Sequence, residues 1–186
     1  MKKLLLLLSL FPLITAAEDS TTFSIQKGVW EIGMWTGGGT GVSGSTKGTQ
    51  LWLTGFRFGK VLAGGTHGSL EYALEAIPVF VVFQESTIYG MDITPFLLKW
   101  NLRSKSRVIP YFEFGAGLLY TSDNVPERTS VLNFTPQGGF GLHVFTHEKQ
   151  AITFTFKYMH ISNGGLESPN PGINSLQLLL GYNWFR

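Results

Sequence analysis

Side chains along the chain alternate between bulky apolar residues and small or polar ones, in segments of roughly ten residues separated by turn-forming residues. Alternation with a period of two is typical of half-buried β-strands. No segment beyond the N-terminal region shows a helical period. The pattern predicts eight strands, at residues 28–36, 48–59, 69–83, 91–103, 107–121, 131–146, 150–163 and 173–186.

The two faces of each predicted strand differ in bulk. On the fifth strand, Phe112, Phe114, Leu118 and Tyr120 share one face, whereas Glu113 and glycines share the other. Small residues and paired charges suit the interior of a narrow barrel, and a continuous bulky face suits lipid. An even strand number closes the sheet without an unpaired edge. The pattern therefore predicts an all-β fold, an eight-stranded antiparallel transmembrane β-barrel of the outer-membrane type.

The first residues, MKKLLLLLSLFPLITAA, combine two lysines, an apolar run and small residues. This order predicts a secretory signal peptide over residues 1–17, followed by one barrel domain over residues 18–186. No later apolar run approaches the ~18 residues of a membrane helix. Because the chain contains no cysteine, packing and closed backbone pairing must hold the exported domain together.

Loop lengths predict how the barrel is oriented in a bacterial outer membrane. With both termini in the periplasm, the short turns RSKSR and THEKQ are periplasmic, and the longer stretches at 37–47, 84–90, 122–130 and 164–172 lie outside. The connection at 59–68 is longer than a usual periplasmic turn. A net charge of +2, with only 14% charged residues, does not favour a nucleic-acid partner.

Several polar groups have structural interpretations. The glycine-rich stretch 36–49 lacks the residue order of a phosphate-binding loop and is interpreted as a flexible outer loop. The histidines at 67, 143 and 147 lack ligand-like spacing, so no metal site is predicted. Interior charges need partners. The sequence therefore favours pairing of Glu71, Glu75 and Glu113 with Arg57, Lys99 or Lys157 over acid–base chemistry.

A cluster of polar residues is predicted at the outer end of the last two strands. His160 and Ser162 continue the bulky, lipid-facing row of the seventh strand, and Asn174 begins the corresponding row of the eighth. Residues at i and i+2 on one face lie ~6–7 Å apart at the backbone, so an imidazole can reach a hydroxyl and act as its base. The following Asn-Gly-Gly supplies an amide and backbone N–H groups for an oxyanion. The alternative is that polar residues simply mark where a strand leaves the hydrocarbon.

The stretch HISNGG…PNPGIN, at the end of the penultimate strand of a small exported barrel, resembles the outer-membrane lipid A 3-O-deacylases of the PagL type. The resemblance implies hydrolysis of the ester-linked acyl chain at the 3 position of lipid A by an outward-facing Ser-His-Glu triad. It implies Ser162 as nucleophile, His160 as general base, and Asn163 with the Gly165 N–H as oxyanion hole. The family's acid falls at Asn174, where this sequence carries an amide.

The resemblance implies no metal or cofactor, and its substrate partner is lipid A of lipopolysaccharide. Whether Asn174 or Glu167 orients His160 is left open, as is a homodimer. Two other hypotheses stand beside the esterase: a non-enzymatic structural or adhesive barrel, and a periplasmic lipocalin-like carrier with its bulky rows turned inward.

Overall fold

The computed structural model describes residues 25–186, so the predicted signal peptide at 1–17 and the domain start at residue 18 lie outside the described part. The described chain consists almost entirely of long β-strands, with a single 3-10 turn, Gly44–Thr46, after the first. The strands are β1 Trp30–Ser43, β2 Gln50–Gly64, β3 Gly68–Phe83, β4 Thr87–Leu102, β5 Val108–Thr121, β6 Leu132–His147, β7 Gln150–Ile161 and β8 Ile173–Phe185.

The sheet closes on itself. Each strand pairs antiparallel with its neighbours in the chain, and β8 pairs with β1 through a continuous register that includes Thr36 opposite Leu180. Closure gives every strand two partners, which removes the unpaired edges that a bilayer cannot solvate. The predicted eight-stranded antiparallel barrel is confirmed. Among residues 25–186, no helix is long and apolar enough to cross a membrane.

The bulky face of the sheet is the outer one. Phe112 and Phe114 on β5 are 57% and 60% exposed, whereas Glu113 between them is 3% exposed. The same alternation runs through the other strands. A lipocalin-like carrier requires the bulky rows to point inward, so that hypothesis is wrong.

The middle of the interior is a layer of paired charges, as predicted. Arg57 lies 2.6 Å from Glu75 and 2.8 Å from Glu113, and Lys157 lies 3.1 and 3.2 Å from the same two carboxylates. A second group joins Lys99 to Glu71 and to Glu31, a partner that the sequence did not reveal. Because each buried cation meets two carboxylates, the cost of removing these charges from water is offset by their mutual attraction.

Apolar side chains fill the interior on both sides of the charged layer. Leu53, Phe80 and Ile161 belong to a buried cluster towards the outer end, and Val61, Ile109 and Phe185 to another at the end that carries residue 25 and the C-terminus. The alternation of the third strand predicts that Phe80 shares the bulky outward face with Tyr72. That prediction is wrong, because a register shift between Ile77 and Phe80 turns the Phe80 ring inward. In the described part of the chain, apolar side chains and paired charges therefore fill the barrel interior.

The glycine-rich stretch is mostly strand, which corrects its interpretation as a loop. β1 continues to Ser43, and only residues 44–49 form the outer loop. Gly37 and Gly39 point inward against β8, where an added Cβ at Gly37 would lie 2.7 Å from the Leu179 Cα. These positions need glycine because the interior is narrow there, and a run of glycines hides the alternation that marks other strands.

Short and long connections separate onto opposite ends of the barrel. The connection predicted at 59–68 is a tight turn, because β2 extends to Gly64 and β3 begins at Gly68. It shares its end with the turns at 103–107 and 148–149. The opposite end carries the loops 122–131 and 162–172, together with 44–49 and the short link 84–86. Longer outer loops and short periplasmic turns are the usual outer-membrane arrangement.

Candidate active site

The register of β7 with β8 gathers polar side chains on the lipid-facing surface. His160 pairs directly with Asn174. This pair is the next one on the outward face after Tyr158 and Leu176, two residues along each strand. Ser162, past the end of β7, forms an isolated bridge with Phe134 of β6. Directly paired residues share a face of the sheet, so His160 and Asn174 lie side by side on the outward face, and Ser162 shares its face with Phe134.

His160 is oriented by Asn174. The His160 Nδ1 lies 2.7 Å from the Asn174 Oδ1. A carbonyl oxygen only accepts hydrogen bonds, so the Nδ1 carries a proton, and in the neutral ring the Nε2 is then the nitrogen with the free lone pair. That tautomer is the one that a general base acting through Nε2 requires.

Two residues that the sequence did not single out hold the Asn174 amide. The Tyr158 hydroxyl donates to the Asn174 Oδ1 at 2.6 Å, and the Asn174 Nδ2 donates to the Ser43 Oγ at 3.0 Å. The short distance suits an O–H donor and the longer one an N–H donor, so both fix the amide with its oxygen towards His160. Tyr158 could have been found from its place in the outward row of β7. Ser43 could not, because it belongs to the stretch interpreted as a loop.

Ser162 lies next to this arrangement without a bond to the imidazole. Its backbone pairs with Phe134 at 2.7 and 3.1 Å, and the residue is 8% exposed. Within residues 25–186, no hydrogen bond joins its hydroxyl to the His160 ring. Because the backbone is held by β6, contact with the Nε2 depends on rotation of the Ser162 side chain. Catalytic hydrogen bonds commonly tighten only when substrate is bound.

The turn after Ser162 is ordered by its own hydrogen bonds. Asn163 is buried; its Oδ1 accepts from the Gly165 N–H at 2.9 Å, and its Nδ2 donates to the Glu167 backbone oxygen at 3.0 Å. Both groups predicted for the oxyanion hole are therefore engaged within the loop. The described residues offer no acceptor to the Gly164 N–H between them.

Glu167 does not take the place of the missing acid in this structure. Its side chain is exposed, and among the described residues its carboxylate forms no hydrogen bond with His160. The imidazole instead forms a hydrogen bond with Asn174. The alternation of β8 predicts this partner, because it places Asn174 on the same outward face as His160.

Gly172 supports the His160 ring from the loop side. Its φ of +65° lies in the left-handed region, and an added Cβ would stand 2.7 Å from the His160 Cε1. Its carbonyl accepts a hydrogen bond from the Thr46 Oγ1 at 2.8 Å, which links the β1–β2 loop to the site. Glycine is required here both for the backbone conformation and for the space that the ring occupies.

An apolar groove runs along the outer surface of the barrel. It lies between the polar cluster around His160 and the middle of the barrel wall. Its volume is about 530 Å³. Glycines of β1 form part of its floor, and bulky side chains form its walls; these include Trp52, Phe140, Phe156, Leu178 and Leu180. The described residues contain no group of three or more His, Cys, Asp or Glu that could hold a metal ion.

A closed eight-stranded barrel with a bulky outward face and short turns at one end defines an outer-membrane protein, here with a polar site that opens sideways towards lipid. The chain belongs to the lipid A 3-O-deacylase (PagL) family, whose model matches residues 45–183. The protein is thus a bacterial outer-membrane barrel of a deacylase family. No curated protein sequence matches this chain significantly.

Solved structures share this architecture at low sequence identity. The crystal structure of the outer membrane enzyme PagL is 19% identical, with a TM-score of 0.66, and the match covers 81% of this chain and 97% of that chain. The outer membrane protein OprG from Pseudomonas aeruginosa is 14% identical (TM-score 0.57, covering 89% and 99%). Neisserial surface protein A is 12% identical (TM-score 0.56, covering 84% and 95%). These likenesses concern the fold.

Proposed function

We propose that this protein is a serine esterase that removes the acyl chain ester-linked at the 3-O position of lipid A, from within the outer membrane. The observation that carries the proposal is the hydrogen bond between the His160 Nδ1 and the Asn174 Oδ1 on the outward face, with Ser162 just past the end of β7. Family membership supplies the substrate class. The site's position on the lipid-facing surface suits an ester that never leaves the membrane.

The proposed reaction follows from which groups of the site can donate and accept a proton. The Ser162 hydroxyl attacks the acyl carbonyl while the His160 Nε2 takes its proton. The imidazolium then returns the proton to the leaving sugar oxygen, which produces an acyl-serine and a free hydroxyl on the lipid. Water, deprotonated by the same Nε2, hydrolyses the acyl-serine and releases the fatty acid. Asn174 holds the tautomer throughout, but its neutral amide stabilises the imidazolium less than a carboxylate would.

The oxyanion is proposed to bind at the turn formed by Asn163 and Gly165. The Gly165 N–H now donates to the Asn163 Oδ1, so an incoming oxyanion would replace that oxygen as the acceptor. A negatively charged oxygen is the better acceptor, which favours the exchange in the transition state.

The apolar groove is proposed to bind the acyl chain. It lies on the same outward face as the site, with Phe156 and Leu178 a few residues along β7 and β8 from His160 and Asn174. A chain extended in that direction would bury hydrocarbon against aromatic rings while its ester end stays at the polar cluster. Neither a metal nor a cofactor takes part in this mechanism.

A structural or adhesive barrel is the second candidate. The amide at position 174 and the absence of a bond from the Ser162 hydroxyl to His160, among the described residues, favour it. It predicts that substitutions in the cluster leave lipid A unchanged.

Ser162→Ala distinguishes the two candidates. Lipid A extracted from cells that express the protein, or the variant, is compared by mass spectrometry, with released 3-hydroxy fatty acid measured in isolated membranes. Ser168→Ala, an exposed serine of the same loop, is the matched control. We expect Ser162→Ala to reduce release to background and Ser168→Ala to keep it. Unchanged release from Ser162→Ala at equal amounts of folded barrel refutes the esterase.

A further inference from the structure

Charged side chains outside the barrel interior are divided unequally between its two ends. Among residues 25–186, the end that carries the short turns and the C-terminus has seven basic side chains and one acidic side chain, all exposed. We call this set the basic rim: Lys27, Lys60, Arg103, Lys105, Arg107, Lys149 and Arg186, with Glu148 as the acid. The opposite end has two basic and four acidic side chains: Lys47, Arg128, Glu85, Asp123, Glu127 and Glu167. The excess of positive charge is therefore local, although the whole chain carries only +2.

Lys60 shows that the basic rim extends onto the lipid-facing surface. It is an exposed residue of β2, directly paired with Trp30 of β1 on one side and with Tyr72 of β3 on the other. Its Nζ lies 4.5 Å from the centre of the Trp30 ring. Trp30 and Tyr72 are themselves 50% and 37% exposed. An ammonium group between outward aromatic rings is thus present on the barrel wall.

The aromatic residues place this ammonium at headgroup depth. Trp and Tyr concentrate where hydrocarbon meets the polar headgroups, and outer-membrane barrels carry such girdles at both interfaces. Trp100, 40% exposed, adds to the girdle at the same end. An ammonium group at headgroup depth is within reach of lipid phosphates.

We infer that the basic rim binds the headgroups of anionic phospholipids in the leaflet at the end of the barrel that carries the short turns and the C-terminus. The inference concerns that leaflet and is independent of the proposed esterase activity at the other end. A soluble partner in the periplasm would reach the turns at 103–107 and 148–149 but would not account for a cation on the wall of β2. A lipid headgroup reaches both.

The size of the effect follows from the charge of a lipid surface. A basic side chain near an anionic membrane surface strengthens binding by about fivefold. Neutralising Lys60, Arg103 and Lys105 together should therefore weaken the affinity for anionic lipid by about two orders of magnitude. These three residues belong to exposed positions, so the substitutions leave the packed interior intact.

The test measures lipid retention by the whole barrel. The purified protein in neutral detergent is mixed with phosphatidylglycerol and phosphatidylcholine of identical acyl chains, and bound lipid is counted by native mass spectrometry. The triple variant Lys60→Gln, Arg103→Gln, Lys105→Gln is compared with Lys47→Gln, Arg128→Gln, which removes cations from the opposite end. Heat-modifiable migration on gels verifies that each barrel is folded.

We expect the wild type to retain phosphatidylglycerol over phosphatidylcholine, the triple variant to lose this preference, and the control variant to keep it. Rising salt should weaken retention of phosphatidylglycerol alone, because exposed charges are screened; this measurement on the wild type decides the matter even if the triple variant misfolds. Equal retention of phosphatidylglycerol and phosphatidylcholine overturns the inference. So does an equal loss in the control variant.

Discussion

Replacing Asn174 by aspartate tests whether the amide limits the rate of the proposed reaction. In the structure, the Asn174 Oδ1 lies 2.7 Å from the His160 Nδ1 and also accepts from Tyr158. An aspartate oxygen can occupy the same place, and the Ser43 hydroxyl can turn from acceptor to donor towards the second oxygen. The substitution therefore adds a negative charge while it keeps the hydrogen-bond pattern.

The expected gain arises mainly in the transition state. With the neutral imidazole, the exchange of a neutral acceptor for a charged one strengthens the hydrogen bond by about 1 kcal/mol. As the imidazole becomes charged, two unit charges ~4 Å apart near a protein surface attract by about 4 kcal/mol. About 1 kcal/mol of this attraction is already present with the neutral imidazole, and solvent weakens the remainder at this half-buried site. The partial loss of the carboxylate's hydration occurs before the reaction and therefore affects stability rather than kcat. A net gain of about 1.5–3 kcal/mol corresponds to roughly a 10- to 100-fold higher kcat.

The assay is the release of 3-hydroxy fatty acid from lipid A in mixed micelles, with kcat and KM measured separately. We expect kcat to rise and KM to stay nearly constant, because the added interaction appears only as charge develops on His160. Asn170→Asp is the matched control; its side-chain oxygen accepts from the Asn163 N–H in the same loop without contacting the imidazole. If Asn174→Asp, folded normally, does not exceed the wild type while Asn170→Asp equals it, Asn174 does not act as the third member of the site.

Three further predictions follow from other contacts. Tyr158→Phe should lower kcat about fivefold without changing barrel stability, because one hydrogen bond that fixes the amide is lost; steady-state kinetics measure this. Gly172→Ala should abolish most activity while the barrel still folds, since the added Cβ displaces the His160 ring; fatty acid release and heat-modifiable migration are the two readouts. Glu75→Gln should destabilise the barrel by about 3 kcal/mol, because it leaves part of the positive charge of two buried cations unpaired; urea unfolding in lipid vesicles tests this, with exposed Glu85→Gln as control.

Specific outcomes would contradict these three predictions. A wild-type kcat in Tyr158→Phe would mean that the amide is oriented without the phenol. Full activity in Gly172→Ala would show that the loop backbone can retreat from the imidazole. Equal unfolding midpoints for Glu75→Gln and Glu85→Gln would mean that the buried ion pairs do not contribute to stability.

The alternation of bulky and small side chains was sufficient to predict most of the strands and which of their faces points outward. When residues alternate with a period of two, every second side chain lies on the same face of the strand. The outward rows of β5 and β8, the inward position of Glu113 and the alignment of His160 with Asn174 could therefore be predicted. These features depend on a local property, the geometry of an extended chain, which each segment carries independently.

Alternation failed where a strand departs from regular geometry. The ring of Phe80 points inward because the β3–β4 register shifts before it, and the count of residues in one strand does not reveal what its partner does. β1 was predicted too short because inward glycines carry no side chain to mark the face on which they lie. Register irregularities and close strand contacts belong to pairs of strands, so they are decided by pairing.

The details of the site and of the interior were decided only by closure of the barrel. Ser43 is 131 residues from Asn174 in the chain and becomes its hydrogen-bond partner only because β8 pairs with β1. Which carboxylate meets Arg57, and the inclusion of Glu31 beside Lys99, likewise depend on side chains that cross the interior from non-adjacent strands. The sequence by itself determined the number of strands, most of their lipid-facing rows and the candidate nucleophile and base. The tertiary structure decided their partners, because hydrogen bonds and ion pairs reach only a few ångströms and distant segments come that close only when the sheet is closed.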